Sequence, residues 1–346
     1  MRAMLLAHPA PASEGPLKLV DRPDPEPAAG EIVLDVAVCA VCRTDLQIAE
    51  GDLAARCLPI VPGHQAVGRV RAVGAGVRGW GIGDRAGVAW LGGACGACAF
   101  CRTNRENLCR EARFTGWDRD GGFAERVAVR ADFALRLPDG VTDVDAAPLL
   151  CGGIIGYRSL KLSGVAPGGR LGLFGIGASA LLAIQVARHW GCEVLVWTRS
   201  QAERDRATAL GAAWVGGYDD PAPAPLDAAI TFAPVGDIVV AALRAVDRGA
   251  TVAVNAIHLD RMPEFSYDLL WGERAIRSVA NFTRRDAEEF LTVAVEAGVR
   301  STAERHPLDG ANEALARIAE GRVDGAAVLD ISIPLPPAAP IARVTG

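Results

Sequence analysis

The sequence predicts an α/β protein in two parts, a β-rich first part ending near Cys151 and a doubly wound parallel sheet after it, and three observations carry that expectation. Short apolar runs broken by glycine and proline fill the first part. After Cys151, buried-strand runs alternate with helical stretches, the pattern of consecutive βαβ units. The first of those strand runs is followed at once by Gly175-Ile176-Gly177-Ala178-Ser179-Ala180, a G-x-G-x-x-A loop at the head of an apolar helix.

Taken in order, the N-terminal MRAMLL has too few consecutive apolar residues before His8 and Pro9 for the core of a signal peptide, and reads as a first strand. Leu17 to Val38 is strand-like, with the linker RPDPEPAAGE ahead of the alternating EIVLDVAV. AVGRVRAVG (66–74), DRAGVAW (84–90) and FAERVAVR (123–130) follow as strands between glycine-rich turns, with no strand–helix alternation before Pro148. The second part runs through LGLF (171–174), EVLVW (193–197), DAAITF (227–232), ATVAV (250–254) and IRSVA (276–280). Residues 284–320 then read as two helices, each closing on a glycine, before a last strand at 326–332.

Of the 346 residues, 50% are hydrophobic and 22% charged, which excludes a disordered chain and a small disulfide scaffold. A net charge of -5 gives no general pull toward nucleic acid or an anionic membrane. Nine cysteines is an odd number, and four of them crowd between Cys95 and Cys109, which suits metal ligation in a reducing, cytoplasmic compartment better than disulfides. The longest uncharged stretch, Leu171 to Ala187, is near the lower length limit for a membrane span. Gly172, Gly175 and Gly177 cluster at one end of it, so it reads as strand, turn and helix.

In that turn, Gly175 permits the tight bend, Gly177 lets backbone N–H groups approach a pyrophosphate, and the small Ala180 allows close helix–strand packing. An NAD-selective site carries an acidic residue at the end of the second strand. Here that place reads Trp197-Thr198-Arg199-Ser200, with Glu193 at the wrong end of the strand, so no carboxylate is expected there. Arg199 between two hydroxyls suits a 2′-phosphate, which favours NADP(H) over NAD(H). The plain alternative is a solvated arginine at a helix start.

Cys95, Cys98, Cys101 and Cys109 have the spacing C-x2-C-x2-C-x7-C. Four thiolates so close form a closed tetrahedral zinc site or hold an iron–sulfur cluster, and the ligand set alone leaves both open. Arg102, Arg105, Arg110 and Arg113 make the loop locally basic, diluted by Glu106 and Glu111, which keeps a nucleic-acid-binding zinc ribbon as a rival from another class. Cys42, His64 and Cys151 are unremarkable singly, as small buried residues or a satisfied loop histidine.

Together with Asp45, Gly63, the four-cysteine loop, Pro148-Leu149-Leu150-Cys151-Gly152 and the glycine loop, in this order, they give a chain that resembles the zinc-dependent medium-chain alcohol dehydrogenases over essentially its whole length. The resemblance implies a GroES-like catalytic domain over 1–151, an inserted Rossmann domain over 152–283 and a return segment over 284–346. It implies two zinc ions per chain. Cys42, His64 and Cys151 hold the catalytic one, whose open fourth position takes the substrate oxygen, and the four-cysteine loop holds the structural one. It makes Asp45 the carboxylate that orients the histidine ligand, where the alternative is a helix cap, and Thr44 the hydroxyl that starts a proton relay. Arg43 matches a residue that pairs with the coenzyme pyrophosphate, and Leu53 and Trp90 match alcohol-pocket positions, where the alternative is plain core.

Three positions depart from the family pattern. Gln65 replaces a glutamate beside the histidine ligand, Gln47 a relay histidine, and Ile155 a threonine beside the nicotinamide. The resulting expectation is an alcohol dehydrogenase or aldehyde reductase using NADP(H) on a small or hydrophobic primary alcohol, assembled as a homodimer or homotetramer with no nucleic-acid or membrane partner. The rival enzyme reduces a polarised C=C or iminium bond, a reaction less dependent on an alcohol proton relay.

Overall fold

A computed structural model describes residues 1–256 and 259–333. The chain divides into two compact units. The first comprises Met1–Cys151, Thr283–Leu291 and the residues from Arg300 onward, and the second Gly152–Phe282 and Thr292–Val299. Of the segment 284–346, residues 334–346 lie outside the described residues.

In the first unit the apolar alternation of EIVLDVAV extends into the strand Glu31–Val41, almost entirely buried. A strand covered on both faces sits in the interior of a sheet, and this one pairs antiparallel with Gln65–Val73, Arg126–Arg130 and Ala326–Asp330. It is the central member of a seven-stranded sheet that also takes in Arg85–Val88, Leu135–Arg136 and Ala303–His306. Met4, Leu6, Ile32, Leu34, Ile48, Ile60 and Phe123 close its core.

Besides a single helical turn over Ala99–Arg102, the expected lack of strand–helix alternation before Pro148 is corrected at two helices, Arg43–Glu50 and Asp143–Pro148. Neither runs long enough to display a 3.6-residue period over more than about two turns. Local chemistry makes them instead. Gly51 closes the first in the left-handed region, and the Thr142 side chain caps the second by accepting from Asp145 N–H. After Pro148 the backbone widens into one turn of π-helix over Leu149–Gly153, a geometry that concentrates at functional sites.

The second unit is one parallel sheet of six strands. Across it stand Trp214–Gly216, Glu193–Trp197, Arg170–Phe174, Leu226–Thr231, Val246–Val254 and Ala275–Ser278. In chain order that is third, second, first, fourth, fifth, sixth, the Rossmann arrangement, whose direction reverses between the first and fourth strands. Ligands of such sheets bind at the carboxyl ends of the strands beside that reversal, and Gly175 is the first residue after the first strand. Leu171–Ala187 forms strand, turn and helix as expected, and no helix among the described residues is long and apolar enough to cross a membrane.

Candidate active site

Cys42 directly follows the central strand and caps the helix Arg43–Glu50. Its Sγ accepts from Thr44 N–H at 3.3 Å, and its own N–H donates to Asp45 Oδ2 at 2.9 Å. The other carboxylate oxygen, Oδ1, accepts from Gly63 N–H at 3.2 Å and lies 3.1 Å from His64 Nδ1. The two roles weighed for Asp45, cap and histidine orienter, are therefore filled at once, one by each oxygen. A carboxylate only accepts, so His64 Nδ1 carries a proton, and Nε2 lies 3.4 Å from Cys42 Sγ. Asp45 and His64 are both fully buried.

Gly63 aims His64. Its φ is +95°, and a Cβ there would stand 2.4 Å from the Phe123 ring, so no side chain is admissible. Cys151 arrives from the π-helical turn, and the Cys42, His64 and Cys151 donor atoms all lie within 4.8 Å of one another. Zinc at about 2.3 Å from sulfur and about 2.0–2.1 Å from nitrogen sets a tetrahedral S···N edge of about 3.5 Å. The Cys42–His64 edge fits that ion. Burial works against a charged imidazole, yet Asp45 and Cys42 outweigh it and hold the His64 pKa up at about 10, so the cluster favours positive charge.

The four-cysteine loop lies in the same unit. Its four sulfurs fall within 4.8 Å of one another, with Sγ···Sγ distances of 3.8 Å for Cys95–Cys101 and 3.5 Å for Cys98–Cys101. Four sulfurs about 2.3 Å from one ion have edges of about 3.8 Å, so this cage fits a single zinc and leaves no room for the several iron and sulfide atoms of a cluster. Backbone N–H groups of Ala97 and Cys98 point at the Cys95 sulfur and lower its pKa to about 7. Glu106, buried in the loop, accepts from Arg284 N–H at 2.9 Å and Nε at 3.2 Å, while Arg102, Arg105, Arg110 and Arg113 are exposed. The loop is tied into the first unit.

Beside His64 stands an aromatic stack. Trp90 meets the imidazole edge-on with ring centroids 5.0 Å apart, and stacks on Phe114 at 5.1 Å and Trp117 at 5.7 Å. Arg56 covers the Trp117 ring at 3.9 Å and pairs with Asp118. Leu53, half-buried, packs on the same apolar cluster as Trp90 and Trp117. Phe114 and Trp117 were not singled out from the sequence, although two aromatics three apart after the cysteine loop were its available signal.

Thr44 is 7% exposed, and its hydroxyl takes part in no hydrogen bond among the described residues. Gln47, half-buried, follows one turn on, and Arg43 is exposed at the first helical position. Gln65 is buried with Nε2 turned to Ala40 C=O at 3.5 Å, and Ile155 is half-buried in the helix Ile154–Ser163.

In the second unit, Gly175 has φ +94° with a hypothetical Cβ 3.0 Å from Ala233 N, whereas a Cβ on Gly177 meets nothing within 4 Å. The first glycine is demanded by the turn, and the second borders open space at the start of the helix Ala178–His189, in whose first turn Ala180 is fully buried. At the end of the second strand Thr198 is buried while Arg199 and Ser200 are exposed. The expectation of no carboxylate there is corrected. Ser200 caps the helix Gln201–Ala209, and the first turn of that helix brings the Glu203 carboxylate onto the Thr198 hydroxyl.

Asp45→Asn keeps a cap acceptor but removes the charge facing His64. It is expected to weaken zinc retention in chelator competition by roughly 10- to 100-fold, the usual effect of losing a histidine-orienting partner. Unchanged retention would assign Asp45 to capping alone.

The profile of the Alcohol dehydrogenase GroES-like domain matches residues 28–139. A probable alcohol dehydrogenase AdhA from Mycobacterium tuberculosis is 48% identical over 335 residues, covering 95% of this chain and 97% of that protein. An alcohol dehydrogenase from Geobacillus stearothermophilus is 35% identical over 91% of this chain and 95% of its own length. Among solved structures, a cinnamyl alcohol dehydrogenase from Sorghum bicolor superposes with a TM-score of 0.87 at 27% identity, covering 96% of this chain and 98% of that one.

Proposed function

Because the chain belongs to the zinc-dependent medium-chain alcohol dehydrogenase family, we propose that it interconverts a hydrophobic primary alcohol and its aldehyde, with NADP(H) preferred over NAD(H). The observation that carries this reading is the Cys42, His64 and Cys151 cluster, the three donors of a catalytic zinc site brought within 4.8 Å of one another with Asp45 on His64 Nδ1, and walled on one side by Trp90. When bound, zinc supplies Lewis acidity at the substrate oxygen and the nicotinamide exchanges a hydride with its carbon.

The chain's own residues do the rest. Cys42 and Cys151 bring two thiolates to balance the dication, and Asp45 holds His64 in the tautomer that leaves Nε2 free. Thr44, on the helix capped by Cys42, offers a hydroxyl with no hydrogen-bond partner among the described residues to take the alcohol proton, and since the Gln47 amide cannot titrate, the relay ends in water or another group. The Trp90, Phe114 and Trp117 stack excludes water and favours an apolar substrate. Exposed Arg199 suits a 2′-phosphate.

The test is aldehyde-dependent oxidation of NADPH and NADH with product analysis, over short, branched, aromatic and α,β-unsaturated aldehydes and cyclic imines. Alcohols as products support the reading. Saturated aldehydes or amines would replace it with the C=C or iminium reductase. Arg199→Asp is expected to reverse the coenzyme preference, since a charge-assisted contact is worth about 1.5–3 kcal/mol, or about 10- to 150-fold in affinity. Equal use of both coenzymes by the unaltered enzyme would overturn the preference.

A further inference from the structure

At the carboxyl end of the strand Glu193–Trp197, four side chains converge that sequence spacing does not bring together. Thr198, 1% exposed, donates its hydroxyl to Glu203 Oε2. Glu203 occupies the third position of the helix Gln201–Ala209, where its N–H donates to the capping Ser200 Oγ at 3.2 Å. A glutamate at that position ordinarily returns its carboxylate to the N–H of the capping residue. Here the carboxylate goes to Thr198 instead, and so lies at the strand end itself. Arg204 Nε and Nη2 both reach the Thr198 carbonyl at 3.4 Å. The Tyr218 hydroxyl is held above the usual phenol range by burial first and by Glu203 second, with Arg199 acting the other way, so both charges reach the same group.

One carboxylate is thus set among guanidinium groups at the place where such sheets read the adenosine ribose. The two coenzymes make opposite demands there. A ribose diol is held by an acceptor carboxylate, whereas a 2′-phosphate is held by arginine and repelled by a carboxylate. We propose that Glu203 is the residue that limits this site's discrimination between the coenzymes, accepting from the ribose hydroxyls of NAD(H) and opposing Arg199 toward the 2′-phosphate of NADP(H). This inference rests on the dinucleotide reading of the glycine loop and deepens it. Discrimination then comes from the balance of Glu203 against Arg199 rather than from Arg199 alone.

Calorimetric titration of the zinc-loaded enzyme with adenosine 2′,5′-bisphosphate and with 5′-AMP tests it without turnover. Glu203→Gln preserves the shape and hydrogen bonding of the side chain and removes its charge. It is expected to raise the ratio of bisphosphate to AMP affinity on the order of 10-fold, the scale of one near-surface charge pair. Glu203→Ala should move the ratio the same way and also weaken AMP binding. A ratio that stays put in both variants overturns the inference, whatever the unaltered enzyme prefers. If instead the unaltered enzyme binds AMP as tightly as the bisphosphate and both variants still shift the ratio, the NADP(H) preference falls and the role of Glu203 stands.

Discussion

Dialysis against a chelator is expected to remove about one zinc per chain and abolish alcohol oxidation, while secondary structure and cooperative unfolding persist. The expectation follows from the two donor sets. Cys42, His64 and Cys151 supply three ligands, so one position of a tetrahedral ion is left for an external oxygen, and a chelator enters through it. Cys95, Cys98, Cys101 and Cys109 supply all four and close the shell. Loss of Lewis acidity is worth several kcal/mol of barrier, at least about 10³-fold in rate. Adding zinc back should restore activity. Cys98→Ser should behave differently, lowering the midpoint of thermal unfolding, because the closed site organises residues 95–109, a loop that Glu106 ties to Arg284. Elemental analysis that finds a single zinc, or any iron, in fully active protein would refute the two-site assignment.

The residues that met their structural partners as expected are those whose chemistry is set by type and spacing. Four cysteines within fifteen positions can hardly avoid meeting, and a glycine loop between a buried strand and an apolar helix has one natural geometry. The parallel strands were legible because both their faces are covered, which writes them as uninterrupted apolar runs such as EVLVW. The helix Arg43–Glu50 was not. Eight residues with Arg, Asp, Gln and Glu among them show no clear apolar stripe, and what makes the helix is a cysteine sulfur cap and a closing glycine. Asp45 shows why single-role readings fail. Its two oxygens face different elements, one the cap and one His64, and a list of residue types cannot divide a carboxylate in half. Glu203 escaped for a related reason. The strand end was read along the chain, where the following residues are Thr198, Arg199 and Ser200, but one helical turn returns the chain past its own start and carries Glu203 back to Thr198. Phe114 and Trp117 belong to the same class, meeting Trp90 only after the cysteine loop has folded between them.

Thr44→Val is expected to cut kcat/KM for alcohol oxidation by roughly 10²- to 10⁴-fold, the range for lost acid–base assistance, with coenzyme affinity unchanged. The substitution is nearly isosteric. The backbone N–H that donates to Cys42 Sγ remains, and the hydroxyl that is lost has no hydrogen-bond partner among the described residues. A stability loss is therefore not the expected cause of lower activity, and the unfolding midpoint serves as the control. Gln47 lies three residues on, one helical turn from Thr44 and on the same face of the helix Arg43–Glu50. An amide neither takes nor gives a proton near neutral pH. Gln47→His places there a group whose ordinary pKa is about 6.5. Above that value a neutral imidazole accepts the proton released from the alcohol, so oxidation should speed up or its pH dependence should move toward neutrality. Hydride addition to a C=C bond forms no alkoxide at that place and should hardly respond. The measurement is kcat/KM against pH for the unaltered enzyme and both variants. Full alcohol oxidation by Thr44→Val would eliminate the relay. A Gln47→His profile superimposable on the original would place position 47 outside it, leaving the proton to pass from Thr44 directly to water.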